Sequence, residues 1–165
     1  MDVARLYEAH HAALQRYLIR LTGDPELAAD AVQEAFARMV ERPPRDEHPR
    51  AWLFRVATRA ALEVARTAGR RQRLLAAAPS GATHADAPAP PDTALELRER
   101  EARVRQALAT LEPRERTVLL MREEGFKHRE IAAAVGTTTG SVGTMIARAL
   151  DKLAHALDLD QELEP

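Results

Sequence analysis

The stretch from Glu112 to Leu153 constrains this chain more than any other. Pro113 opens it, and the apolar run Val118-Leu119-Leu120-Met121 is broken at Gly125. His128 to Val135 follows, with Ile131, Ala132 and Val135 spaced to share one helical face. A second break, Gly136-Thr137-Thr138-Thr139-Gly140, leads into a helix whose inner side is Val142, Ile146, Ala149, Leu150 and Leu153. Proline suits a first helical position and glycine a helix end, so the caps agree with the periodicity. A short helix, a turn of about four residues and a longer helix make a helix-turn-helix, which sets its second helix in the DNA major groove. Helical hairpins with glycine in the turn also occur in proteins that never touch DNA, so periodicity alone leaves both readings open.

Composition narrows the rest. The chain has 165 residues, enough for one ordinary domain or two small ones. Aromatic residues are only 4%, while Ala, Leu, Glu and Arg abound, which favours helices over sheets. A formal net charge of -1 means that any nucleic-acid surface must be a local basic patch. Cysteine is absent, which excludes disulfides and thiolate metal sites. The amino terminus opens an amphipathic helix without the apolar core of a signal peptide, and no stretch approaches the roughly 20 apolar residues needed to span a bilayer. A cytoplasmic protein with no membrane insertion is expected. The histidines at positions 10, 11, 48, 84, 128 and 155 show no paired metal spacing beyond the adjacent His10-His11, and no catalytic motif is present, so no metal, cofactor or enzymatic activity is expected.

In chain order, Val3, Leu6, Tyr7, Leu14, Tyr17, Leu18 and Leu21 predict one long helix that ends at Thr22-Gly23. Asp24-Pro25 starts a second, which reaches about Glu41 and buries Leu27, Ala28, Ala31, Val32, Ala35, Phe36, Met39 and Val40. A proline-stiffened loop spans Arg42 to Pro49. The third helix carries Trp52, Leu53, Val56, Ala57, Ala60, Ala61, Val64 and Ala65, and Arg50, Arg55, Arg59, Arg66, Arg70, Arg71 and Arg73 face only Glu63. That is the footprint a phosphate backbone requires. Residues 76–93, rich in Pro and Ala, predict an extended linker. Helix resumes at Ala94 with Val104, Ala107, Leu108 and Leu111 as its buried stripe, and 158–165 is an acidic tail expected to fray. The fold class is therefore all-α, with two small helical domains, 1–75 and 94–157, joined by the linker. The second is a helix-turn-helix bundle.

Several stretches carry more than periodicity. In the carboxy-terminal half they are Leu111-Glu112-Pro113-Arg114-Glu115-Arg116, Arg129-Glu130-Ile131-Ala132, Gly140-Ser141-Val142 and Ala147-Arg148-Ala149. In the amino-terminal half they are Asp24-Pro25-Glu26, Asp30-Ala31-Val32-Gln33-Glu34-Ala35-Phe36 and Ala51-Trp52-Leu53-Phe54-Arg55-Val56-Ala57. Together they resemble the sigma-70 family of bacterial RNA polymerase sigma factors, and its extracytoplasmic-function (ECF) subfamily in particular. The resemblance implies a subunit that binds core RNA polymerase, directs it to promoter DNA and assists opening of the duplex. By it, Asp30, Gln33, Glu34 and Phe36 meet the clamp helices of the largest polymerase subunit. Arg50, Trp52, Arg55, Arg59, Glu63, Arg66 and Arg70 meet the −10 element. Lys127, His128, Arg129, Thr138, Thr139, Ser141, Thr144 and Arg148 meet the −35 element, with Thr139, Ser141 and Thr144 at base edges. An anti-sigma factor is a further partner in such families. The chain departs from the common pattern at Arg59 (Asn in many members), Glu63 (Asp), and Gly143 and Met145 (Lys and Arg). Two rivals stand beside this reading: a free-standing helix-turn-helix regulator, and a sigma-like protein-binding regulator with weakened promoter reading.

Overall fold

The computed structural model describes residues 2–45, 47–75 and 92–162, with side chains throughout except at 70–75, 92–94 and 159–162. The described residues form α1 (Val3–Thr22), α2 (Pro25–Glu41), α3 (Pro49–Leu75), α4 (Asp92–Thr110), α5 (Pro113–Glu123), α6 (His128–Val135) and α7 (Thr139–Glu162), with no strand among them. The all-α expectation holds. The expected linker, 76–93, lies almost wholly outside the described residues, and α4 begins two residues before the expected Ala94. At the other end α7 runs through Asp158 to Glu162, so the acidic segment starts as the last turn of a helix.

Local chemistry sets the helix ends. Gly23 closes α1 at φ +73°, a left-handed conformation that aims its N–H at Ile19 O, 2.8 Å away. Immediately after it, Asp24 Oδ1 accepts from the N–H groups of Glu26 and Leu27 at 2.9 and 3.1 Å, and Pro25 fills the first helical position. Glu115 Oε2 accepts from the Glu112 N–H at the start of α5, and Glu130 Oε2 from the Lys127 N–H at the start of α6. Gly136 ends α6 at φ +67°, and Arg114 of α5 donates to its carbonyl oxygen at 3.0 Å, which fixes the turn into α7. That turn is shorter than the sequence suggests, because Thr139 and Gly140 already belong to α7.

Helices α1–α3 pack on one another, as do α4–α7, and the two units meet where α3 lies on α6 and α1 on α5. Their buried side chains form one continuous cluster, from Leu14, Tyr17 and Phe54 in the first unit to Phe126, Val118 and Ile131 in the second. Tyr17 stacks at a tilt on Phe54 (centroids 5.1 Å apart), and Phe54 on Phe126 (4.8 Å). The buried Tyr17 hydroxyl bonds Thr58 Oγ1 at 2.8 Å, and burial pushes its phenol well above the ordinary range.

Arg116 ties the units at backbone level. Its Nε donates to Leu108 O (2.8 Å), its Nη2 to Leu111 O and Ala109 O (3.0 and 3.3 Å), and its Nη1 to Leu21 O (2.7 Å). A guanidinium suits this place because the last carbonyls of α4 and α1 lack helical partners and carry the negative end of each helix dipole. Burial lowers its pKa, but an arginine remains charged at neutral pH.

The apolar stripes are not buried throughout. Val40, Val64, Val104 and Leu150, all expected inside, are 66%, 54%, 44% and 52% exposed. Val104 and Leu150 line one groove with Leu108, Leu119, Ile146 and Leu153 between α4, α5 and α7. Helical spacing places a residue on a stripe, but a stripe wider than its partner leaves its edge in water.

Candidate functional site

Three groups of side chains make up the candidate site. The first lies on α2. Asp30, Gln33 and Glu34 are exposed, while Phe36 is buried and packs edge-on against Tyr7 with centroids 5.0 Å apart. Phe36 therefore supports the face from beneath. Asp30 and Glu34 stand on a groove between α2 and α3, floored by Leu27, Ala31 and Ala60. Glu34 also holds Arg38, one turn along, at 2.6 Å. An exposed pair of this kind contributes only a few tenths of a kcal/mol, which leaves the carboxylate available to a partner.

The second group is on α3, and here the expected basic face is already engaged. Arg55 makes a two-point contact with Glu47 of the preceding loop, at 3.1 and 2.6 Å. Arg66 pairs with Glu63 at 2.8 Å. Arg59 donates to Ala133 O on α6 at 2.7 Å. Arg50 donates to Glu124 O at 2.8 Å and lies 3.5 Å from the Glu124 carboxylate. Its guanidinium is 4.2 Å from the Phe126 ring centre and 5.0 Å from that of Phe54. His10, close by, is held below its ordinary pKa by burial first, then by repulsion from Arg50 and His48. Trp52 is half-buried against the core. The reading that these arginines face only Glu63 is corrected: Glu47 and Glu124 face them too. Glu124 comes from 74 residues away, beyond the reach of any local pattern. The side chain of Arg70 lies outside the described residues.

The third group surrounds the amino-terminal end of α7. Thr138, Thr139, Ser141, Thr144 and Arg148 are all exposed, and the hydroxyls of Thr138 and Ser141 bond each other at 2.8 Å across the first turn. Lys127 and Arg129, flanking the start of α6, are exposed, and His128 is half-buried. The helix-turn-helix thus presents a row of short hydroxyl side chains, with Arg148 two turns along. Lys152 bonds Glu115, fixing α7 on α5, and lowers the Glu115 pKa. Gly143 is exposed, and a Cβ added there meets only His128 Cε1 at an ordinary 3.8 Å. Gly143→Ala should therefore raise stability by about 1 kcal/mol, read from the denaturation midpoint, because helix propensity improves without a clash. A loss of stability would mean that His128 cannot tolerate the methyl group.

Sequence reasoning missed Arg20, Phe54, Arg116, Glu124 and Phe126 as parts of this arrangement. Their signal is tertiary, since each acts on a residue from the other unit.

Comparison with known proteins agrees with this geometry. The family profile for Sigma-70 region 2 matches residues 6–71, and that for Sigma-70, region 4 matches 101–153. The ECF RNA polymerase sigma factor SigL of Mycobacterium tuberculosis is 31% identical over 157 residues, covering 92% of this chain and 86% of that protein. The RNA polymerase sigma-E factor of Streptomyces coelicolor is 35% identical over 155 residues, covering 90% and 83%. Among solved structures, the sigma factor RpoE in complex with the anti-sigma factor NepR, from Bartonella quintana, has a TM-score of 0.71 at 22% identity, covering 96% of this chain and 98% of that one. At that identity the likeness speaks for the fold. CnrH in complex with the cytosolic domain of CnrY has a TM-score of 0.67 at 26% identity, covering 96% and 88%. From the two profile matches and relatives alike along nine-tenths of its length, the chain belongs to the ECF sigma factors of the sigma-70 family.

Proposed function

We propose that this sigma factor initiates transcription by gripping core RNA polymerase through the α2 face and reading promoter DNA with α3 and α7. Residues 1–75 act as the polymerase-binding and −10 unit, 94–157 as the −35 unit, and 76–93 as the tether between them. Asp30, Gln33 and Glu34 dock on the clamp helices of the largest polymerase subunit, where an acidic patch on a basic partner gives orientation and a fast on-rate. Thr139, Ser141 and Thr144 read base edges in the major groove, and Lys127, Arg129 and Arg148 hold phosphates. The α3 helix captures bases that leave the stack, so binding energy favours the open duplex without any covalent step. An anti-sigma factor, the partner named for RpoE, is the expected protein regulator.

The observation that carries this reading is the exposure of the acidic α2 face and the α7 hydroxyl row on one chain. A polymerase subunit needs both; a regulator that only binds duplex DNA needs the second alone. Titrating labelled protein with bacterial core polymerase, followed by fluorescence anisotropy, tests it. Saturable binding is expected, and its absence with active polymerase would favour the free-standing regulator. Once a cognate promoter is in hand, Arg148→Ala should weaken binding and reduce the slope of log K against log salt by about 1. An unchanged slope would remove Arg148 from the phosphate contacts.

A further inference from the structure

We propose that Glu47 and Arg55 form a brace that sets the chain entering α3, so that Arg55 serves the −10 element as a positioning residue and not as a phosphate ligand. The proposal rests on the assignment of α3 to the −10 element. Arg55 Nε donates to Glu47 Oε1 at 3.1 Å and Nη2 to Glu47 Oε2 at 2.6 Å, one edge of the guanidinium against both carboxylate oxygens. Such a fork fixes direction as well as distance, which a single bond does not. The two side chains are 21% and 30% exposed, so water competes less here than at the Arg66–Glu63 pair, where the values are 64% and 67%. Glu47 stands just before α3, which begins at Pro49, and Arg55 lies nearly two turns inside it. Helical side chains lean toward the amino terminus, so Arg55 extends back along α3 to meet the carboxylate.

The place matters because of what a helix cannot do alone. A helix surface is convex, and a base that leaves the stack needs walls on more than one side to be held and told from another base. Glu47 and His48 flank the end of α3 that carries Arg50 and Trp52, and His48 O accepts the Trp52 N–H at 3.0 Å. A segment braced there supplies a second wall, whereas a loose one samples many positions and discriminates poorly. Pro49 stiffens the junction but sets a single dihedral, so a side-chain tie is needed to set the rest. Both partners belong to the first unit, so the brace, unlike the contacts of Arg50 and Arg59, does not depend on the second. A phosphate ligand at this position would have to leave Glu47, whose carboxylate would then repel the same phosphate.

Two measurements test the brace. In the free chain, Glu47→Ala and Arg55→Lys should each speed hydrogen exchange at the Trp52 amide by at least about tenfold, since lysine keeps the charge but cannot form the fork. Combining Glu47→Arg with Arg55→Glu should recover much of the protection, a recovery that misfolding does not produce. In the holoenzyme with bacterial core polymerase, selection from a pool of randomised duplex DNA should yield a −10 preference for the unaltered protein. Either single change should cut discrimination at one or two −10 positions by at least about fivefold and leave the slope of log K against log salt unchanged. A phosphate-bound Arg55 gives the opposite pattern: Arg55→Lys is silent, and Glu47→Ala, by removing a negative charge, tightens binding to every sequence. That pattern, Trp52 amide rates that ignore both changes, or a reversed pair that recovers no protection would each overturn the brace. An unaltered holoenzyme that selects no −10 sequence, while the Trp52 amide still responds, would remove the α3 assignment and the positioning role with it. The two failures are therefore distinguishable.

Discussion

Arg116→Met should lower the unfolding free energy by about 3 kcal/mol, and with it the melting temperature by about 6–12 °C. Methionine keeps much of the side-chain volume but removes every donor. The carbonyls of Ala109, Leu111 and Leu21 then lose this donor, while Leu108 O keeps the Leu111 N–H at 3.2 Å. A half-buried carbonyl left without a donor costs more than an average hydrogen bond contributes, since its hydration is not restored. Arg114→Met provides the scale, because Arg114 donates a single bond, to Gly136 O, from an exposed position. Its loss should cost about 1 kcal/mol or less. If the two variants melt together, Arg116 is not the tie described here.

The second large effect concerns binding. Asp30→Lys combined with Glu34→Lys should weaken association with core polymerase by at least about 100-fold, because like charges brought face to face cost several kcal/mol. Both positions are exposed, so the circular dichroism spectrum should remain helical. Glu96→Lys with Glu99→Lys, on the exposed face of α4, makes the same change in net charge and should leave affinity within about threefold. Retained binding in the first variant, or an equal loss in the second, would release the α2 face from its assignment.

Much of the secondary structure is legible in the sequence because its determinants are local. Asp24-Pro25 makes a helix start wherever the chain carries it, and Gly23 and Gly136 supply the left-handed turns that stop α1 and α6. The α2 acids and the α7 hydroxyls were equally visible, being surface residues on amphipathic helices. The state of the α3 arginines was not. Charge counted along a helix takes no account of Glu124, which reaches Arg50 only through tertiary packing. Phe54 and Phe126 look like ordinary core residues until the ring contact between them is seen. Val104 and Leu150 fit the helical period yet stay exposed, since period reports direction and not whether a neighbour is there.

The row of rings from Tyr17 through Phe54 to Phe126 crosses from one unit to the other. Hydrophobic continuity and chain continuity therefore divide this molecule differently. Each half, made as a separate fragment, would carry an apolar scar where its partner ring had been, with a solvation cost of about 2 kcal/mol per phenylalanine laid bare. The intact protein meets the same cost whenever its halves part. Whatever holds them apart must shelter those rings or outweigh their hydration, so separation favours an occupied surface over an empty one.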